Sequence, residues 1–238
     1  ELTSSTFIAG SKGTLESFDN NSNKFSFDIS EDTPLNTEID FKFEFTDAGY
    51  EDFQWIETII ANPVYRTQSA NDIAVTVTSK GSIGFNDYPI NLEGDGSTYN
   101  SSTNMLFEGG LIYGTSNSKL VSAVRSGNQD FQSDEFNMIT PFLISNPGSI
   151  ADEEGTSIFN DDNGGSKKLN IETELTTFSF ADDENSNFVI FRYTFHNKSG
   201  SNISNFYAGL YFDWDLANAI NFADYNSDNN FGYVYHQF

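Results

Sequence analysis

Apolar and polar side chains alternate with a period of two through most of this chain, the spacing that puts one set on each face of a β-strand. Residues 206–214 show it most fully: Phe206, Ala208, Leu210, Phe212 and Trp214 share one face. Tyr207, Tyr211 and Asp213 occupy the other, and Asp215 follows on the same side. The same period runs through Phe25, Phe27 and Ile29, and through Phe41, Phe43 and Phe45. It returns in 73–78 (IAVTVT), in Leu169, Ile171, Thr173 and Leu175, and in Val189, Phe191, Tyr193 and Phe195. Residues 231–238 (FGYVYHQF) form a last strand. Within 52–61, Phe53, Ile56 and Ile60 fit a helix while Phe53 with Trp55 fits a strand, and strand is the reading taken.

Polar punctuation separates these runs. A turn cluster occupies 19–23, 81–96 is turn-rich around Pro89, and acidic stretches fill 130–136 and 152–165. Residues 197–205 are turn-forming, which predicts an antiparallel hairpin between the strands on either side. Gly109 and Gly110 inside the apolar run 105–113 predict a bulge or a close backbone approach. No stretch carries sustained helical periodicity. The pattern therefore predicts an all-β protein, an antiparallel β-sandwich at 69–238 preceded by a small β unit at 1–68. The final strand meets no terminating signal, so the sandwich is expected to be truncated at its C-terminal end. A start at Glu1 without Met or a signal peptide likewise suggests a mature piece or an internal fragment.

Charge narrows the function classes. With 35 acidic against 11 basic residues the net charge is −24, which opposes nucleic-acid binding and attachment to anionic lipid. No apolar window is long enough for a membrane-spanning helix. There is no cysteine, so disulfides and thiolate metal sites are excluded, and a bacterial secreted protein fits better than an animal one. Enrichment in Asn, Ser, Asp, Thr and Gly points to a solvated, secreted or cell-surface β protein.

Candidate chemistry centres on oxygen ligands. Asp224, Asn226 and Asp228 recur at every second position in what reads as a polar loop, near the pair Asp213 and Asp215. Five such oxygen donors suit a hard cation, so a structural calcium is expected there. Two like carboxylates on one strand face repel unless something neutralises them, which favours the ion; the bland reading is an Asx-turn. The loop is not an EF-hand, because its sixth and twelfth positions are Asn229 and Tyr235. A second acidic cluster, Asp152, Glu153 and Glu154 with Asp161, Asp162 and Asn163-Gly164-Gly165, is a weaker metal candidate and reads more simply as solvated turns. Catalysis lacks a signature: the two histidines, His196 and His236, lie far apart, and no G-x-S-x-G elbow occurs. Carbohydrate binding is the rival function, through Tyr207, Tyr211 and Trp55 stacking on sugar faces.

The runs MLFEGGLIYGTSNSKLVSAVR at 105–125, ADEEGTSIFNDDNG at 151–164 and FVIFRYTFHNKSGSNISNFYAGLYFDWDL at 188–216 follow one another in order. Together they resemble the region after the catalytic domain in secreted subtilisin-like proteases of Bacteroidetes and related bacteria. Residues 1–68, with Gly49-Tyr50, resemble the fibronectin-III-like or CARDB-like unit that precedes that region. The protease motifs themselves are absent, and Gly114-Thr115-Ser116 continues into Asn117 in place of the Met-Ala of a nucleophile signature. The resemblance implies a non-catalytic accessory region of a secreted protein, exported by the type IX system, whose partners are the other domains of that protein.

Overall fold

The computed structural model describes residues 2–13, 15–30, 33–34, 36–61, 64–125, 130–216 and 220–236. The protein is all-β with antiparallel sheets, and it divides into two compact units, Glu1–Asn62 and Pro63–Phe238. The division falls six residues before the one expected from sequence, because Tyr65–Gln68 pairs with Ile73–Thr78 and so belongs to the larger unit.

In the first unit β1 (Leu2–Ser4) pairs with β2 (Ser26–Phe27), and β3 (Thr37–Asp47) pairs with β4 (Tyr50–Ala61). The long hairpin turns at Ala48-Gly49, where Gly49 takes φ +84°, a left-handed conformation that glycine adopts without Cβ strain. The ambiguous segment 52–61 is strand. Its Phe53 sits under Lys42, whose Nζ lies 4.7 Å from the ring centre. On the other face Phe41 and Phe43 pack against Phe27 and Phe25, with ring centres 4.7 and 5.3 Å apart. No described side chain of this unit is fully buried, so cross-strand contacts carry it.

The larger unit contains β5 (Tyr65–Gln68), β6 (Ile73–Thr78), β7 (Ser82–Ile83), β8 (Ser97–Tyr99), β9 (Leu106–Ser116) and β10 (Lys119–Ser122). They are followed by β11 (Asn137–Ser145), β12 (Glu153–Asn160), β13 (Ile171–Ser179) and β14 (Val189–Asn197). The last three strands are β15 (Tyr207–Trp214), β16 (Asn221–Asn226) and β17 (Phe231–His236). One sheet runs β10-β9-β7-β6-β5, with β15 along β9 and β8 along β6; the second runs β11-β12-β13-β14. Strands β16 and β17 pair with each other.

Alternate side chains from both sheets form the core. Leu106, Leu111 and Tyr113 of β9 meet Phe142, Phe159 and Leu175 from the second sheet, all essentially inaccessible to solvent. Tyr113 sits at its centre, its ring 5.2 Å from Phe136, 5.5 Å from Phe206 and 5.7 Å from Phe195. Each such side chain contributes about 1.5–3 kcal/mol by leaving water.

The predicted hairpin between β14 and β15 does not form. Strand β14 pairs with β13 and β15 with β9, so residues 198–206 carry the chain from one sheet to the other. Ile203 and Phe206 pack on the core along the way, and the Phe206 ring lies 5.1 Å from that of Phe195. Burying those two apolar side chains anchors the crossing, where a tight turn would have left them in water.

Candidate functional site

Strand β9 carries Glu108 and strand β15 carries Asp213, and the two residues are direct cross-strand partners. Arg125, just beyond β10, reaches both: Nε donates to Glu108 Oε2 at 2.6 Å and Nη2 donates to Asp213 Oδ2 at 2.5 Å. The guanidinium also lies 5.5 Å from the centre of the Tyr88 ring and 5.9 Å from that of Tyr211. Glu108 is buried, with 3% of its surface exposed, and its second oxygen, Oε1, has no hydrogen-bond partner among the described residues. Burial pushes the Glu108 carboxyl above its ordinary pKa, and the Arg125 guanidinium pulls against that shift. The Tyr211 hydroxyl is also pushed up, by burial first and by the Asp213 charge second. Gly109 allows β15 to lie this close, since a Cβ there would meet the Phe212 ring at 2.8 Å. A Cβ on Gly110 would meet the Gly81 carbonyl oxygen at 3.2 Å, the close backbone approach expected within this run.

From this triad the outer face of β15 runs toward Tyr207. Tyr211 is 38% exposed and Tyr207 73% exposed, both on the Asp213 side of the strand. Gly209 lies between them, with nothing within 4 Å of where its Cβ would stand. Two rings about 13 Å apart along the strand therefore flank a bare stretch of backbone and end at a charged group. Such a surface can stack a planar or apolar ligand face and hydrogen-bond its rim.

The five oxygen donors expected to share a cation do not come together. Asp213 is held by Arg125, the cation that neutralises the acidic strand end. Asp215 lies past the end of β15, where its backbone N–H donates to the Met105 carbonyl at 2.8 Å. Asp224 and Asn226 lie within β16, so their spacing is strand alternation; both face the β17 side chains Tyr233 and Phe231. Asp224 accepts the Tyr233 hydroxyl at 3.2 Å, and the Asn226 side-chain oxygen accepts the Asn229 N–H at 2.9 Å, an Asx-type turn. Asp228 is in the following turn. Among the described residues no group of three or more His, Asp or Glu side chains is placed to hold a metal ion.

In the second acidic cluster Asp152, Glu153, Glu154 and Asp161 are backbone clasps, whereas Asp162 pairs with Lys168. Glu153 accepts the Ser69 N–H at 2.8 Å, and Asp152 accepts the Ala181 N–H at 2.8 Å. Asp161 is fully buried and accepts the Leu169 and Ile171 N–H groups at 2.5 and 3.0 Å. Glu154 accepts the Ala151 and Ile150 N–H groups, which hold its carboxyl below the usual range. His196 Nε2 stands 3.6 Å from a Glu174 carboxylate oxygen on the exposed side of β13 and β14.

Glu108 and Arg125 escape a reading of the sequence by pattern. Glu108 sits in the run MLFEGGLIY, where an acid inside an apolar stretch signals a buried partner. That partner is 17 residues away and nothing in the spacing names it. No family model, no curated protein and no solved structure matches this chain.

Proposed function

We propose that this chain is a non-catalytic, adhesive accessory module of a secreted or cell-surface bacterial protein, with the outer face of β15 as its contact surface. The observation that carries this reading is the exposure of Tyr207 and Tyr211 on one strand face, over bare Gly209, beside the Arg125–Asp213 ion pair. Two wet aromatic faces next to fixed hydrogen-bonding groups are the chemistry of recognition, because the rings bring contact area at low entropic cost. Glu153 and Asp161 engage backbone N–H groups, and Glu108 engages Arg125. Support for a secreted location comes from the composition, which is acidic, lysine-poor and cysteine-free. The resemblance to the region following secreted subtilisin-like protease domains supports an accessory role beside other domains of a parent protein.

Tyr207, with 73% of its surface in water, favours one version of this reading, a carbohydrate-binding module. A neutral glycan suits the surface, since a chain of net charge −24 repels anionic polymers. At this surface Asp213 already has a cationic partner in Arg125. The test is retention on a panel of insoluble neutral polysaccharides and on bacterial cells, for the parent and for Tyr207→Ala and Tyr211→Ala. Retention by the parent and its loss in Tyr207→Ala supports the reading. Hydrolysis of peptide or glycoside substrates by the intact chain would overturn it.

A further inference from the structure

The two sides of the β-sandwich differ. On one side β11, the end strand of the second sheet, lies against β5 and β6 of the first and closes the core. On the other, β14 and β15 each end a sheet, and among the described residues each pairs with one neighbour alone. The inward side chains change accordingly. Thr173, Leu175 and Thr177 of β13 are fully buried, whereas their partners Phe195, Tyr193 and Phe191 on β14 are half-buried. On β15 the inward Phe212 and Trp214 are half-buried, Ala208 is exposed and Leu210 is 43% exposed. This side is an apolar mouth between two edge strands, whose outer backbone groups pair with no other described strand.

Natural edge strands are guarded by Lys, Pro, bulges or covering loops. The sequence of β15, YAGLYFDW, has no basic residue and no proline, and its register is irregular at Asp213/Trp214 alone. Residues 207–212 are thus a regular, unguarded edge. Strand β14 carries Arg192, which donates to Thr176 across the sheet.

We infer that this mouth binds an extended peptide strand, which adds antiparallel to β15 and places apolar side chains at alternate positions between β14 and β15. The free edge supplies the main-chain hydrogen bonds, and the inward row of exposed Ala208 and Leu210 with half-buried Phe212 selects apolar residues at every second position. Antiparallel pairing follows the rest of the molecule and is the more stable per residue. The outward positions of the added strand are basic, since it joins a surface of net charge −24. A second copy of this chain is disfavoured by the same charge, which sets −24 against −24. This inference concerns the inward face of β15 and is independent of the glycan reading, which concerns the outward face.

The test uses synthetic octapeptides with the intact chain: alternating Val/Lys, a block peptide of the same composition, and alternating Val/Glu. Fluorescence anisotropy reads affinity, and amide hydrogen exchange reads where protection appears. The expected result is binding of the Val/Lys peptide with new protection in β15. The block and Val/Glu peptides should be weaker by at least about tenfold, as should binding to Leu210→Glu, where a charge enters an apolar contact. Ala208→Glu repeats that test at an exposed position of the same face should Leu210→Glu fail to fold. Tyr207→Ala, on the outward face, should bind the peptide as the parent does, so loss of glycan retention and loss of peptide binding are separable. Equal binding of the block peptide, protection that avoids β15, or retained affinity in the Glu variants would each overturn the inference. So would β15 amides protected without peptide in a protein that sediments as a dimer, since a second copy would then hold the edge.

Discussion

Glu108 on β9 and Asp213 on β15 face each other across the sheet and share one guanidinium, that of Arg125. The partnership is unequal, because the Glu108 side chain is 2% exposed and that of Asp213 38%. Water can take over the Asp213 charge if Arg125 is removed. It cannot take over that of Glu108.

Replacing Arg125 by Met should therefore destabilise the larger unit by about 3 kcal/mol, the low end for breaking a buried ion pair, since the arginine is partly exposed. Pairing the change with Glu108→Met should restore most of the loss, because apolar groups of similar size satisfy a buried site without a stranded charge. Urea unfolding of the parent, the single and the double variant checks this, and a double variant no better than Arg125→Met would refute it.

The raised pKa of Glu108 sets the sign of a pH effect. A carboxyl whose folded pKa lies above its unfolded value holds more protons when folded across that interval. Its contribution to stability is present at low pH and is lost as pH rises from about 4.5 through the raised folded pKa. Glu108→Gln removes the ionisation. The stability of the variant minus that of the parent should then grow with pH across that window and level off above it. Melting curves between pH 4 and 8 give this difference, in which the general repulsion of so acidic a chain cancels.

Legibility followed the pattern of apolar side chains. Strands β6, β14 and β15 were readable because one face of each is continuously apolar. Strand β12 was hidden in an acidic, glycine-bearing stretch: its inward residues are Glu153, Gly155, Ser157 and Phe159, all buried. Those small positions are needed, since a Cβ on Gly155 would stand 2.1 Å from the Phe142 ring. The spacing of Asp224, Asn226 and Asp228 is ambiguous for a related reason, because every second position is as much a strand signature as a ligand one, and Asp224 and Asn226 lie in a strand. The aromatic face was visible from Tyr207 and Tyr211, whereas the Glu108–Arg125 partnership depends on tertiary pairing that no local pattern encodes.

The response to calcium tests how the acidic strand end is neutralised. A filled structural site at 100 times its dissociation constant adds about 2.7 kcal/mol, which is a shift of several degrees. With Asp213 on Arg125, Asp224 on Tyr233 and Asn226 on its own turn, the expected shift between millimolar calcium and excess EGTA is under about one degree. Asp215→Ala and Asp228→Ala should melt alike in both conditions. A shift of several degrees in the parent, lost in both variants, would show that these residues rearrange to bind the ion.

Asp161 offers the sharpest separation of a structural carboxylate from a ligand. It is fully buried, and its two oxygens accept the N–H groups of Leu169 and Ile171 at the entry to β13. Asp161→Ala removes the partner of both donors, one buried at Ile171 and one part-buried at Leu169, a cost of about 1–3 kcal/mol for a group left stranded. Asp161→Asn keeps one acceptor oxygen and should lose about half as much. The neighbouring Asp162, exposed and paired with Lys168 at 3.1 Å, provides the contrast, and Asp162→Ala should stay within about 1 kcal/mol of the parent. Urea unfolding of the three variants gives the order Asp162→Ala, Asp161→Asn, Asp161→Ala in rising cost. Equal losses at 161 and 162 would mean that the carboxylate acts through its charge alone, and not as the clasp that sets the start of β13.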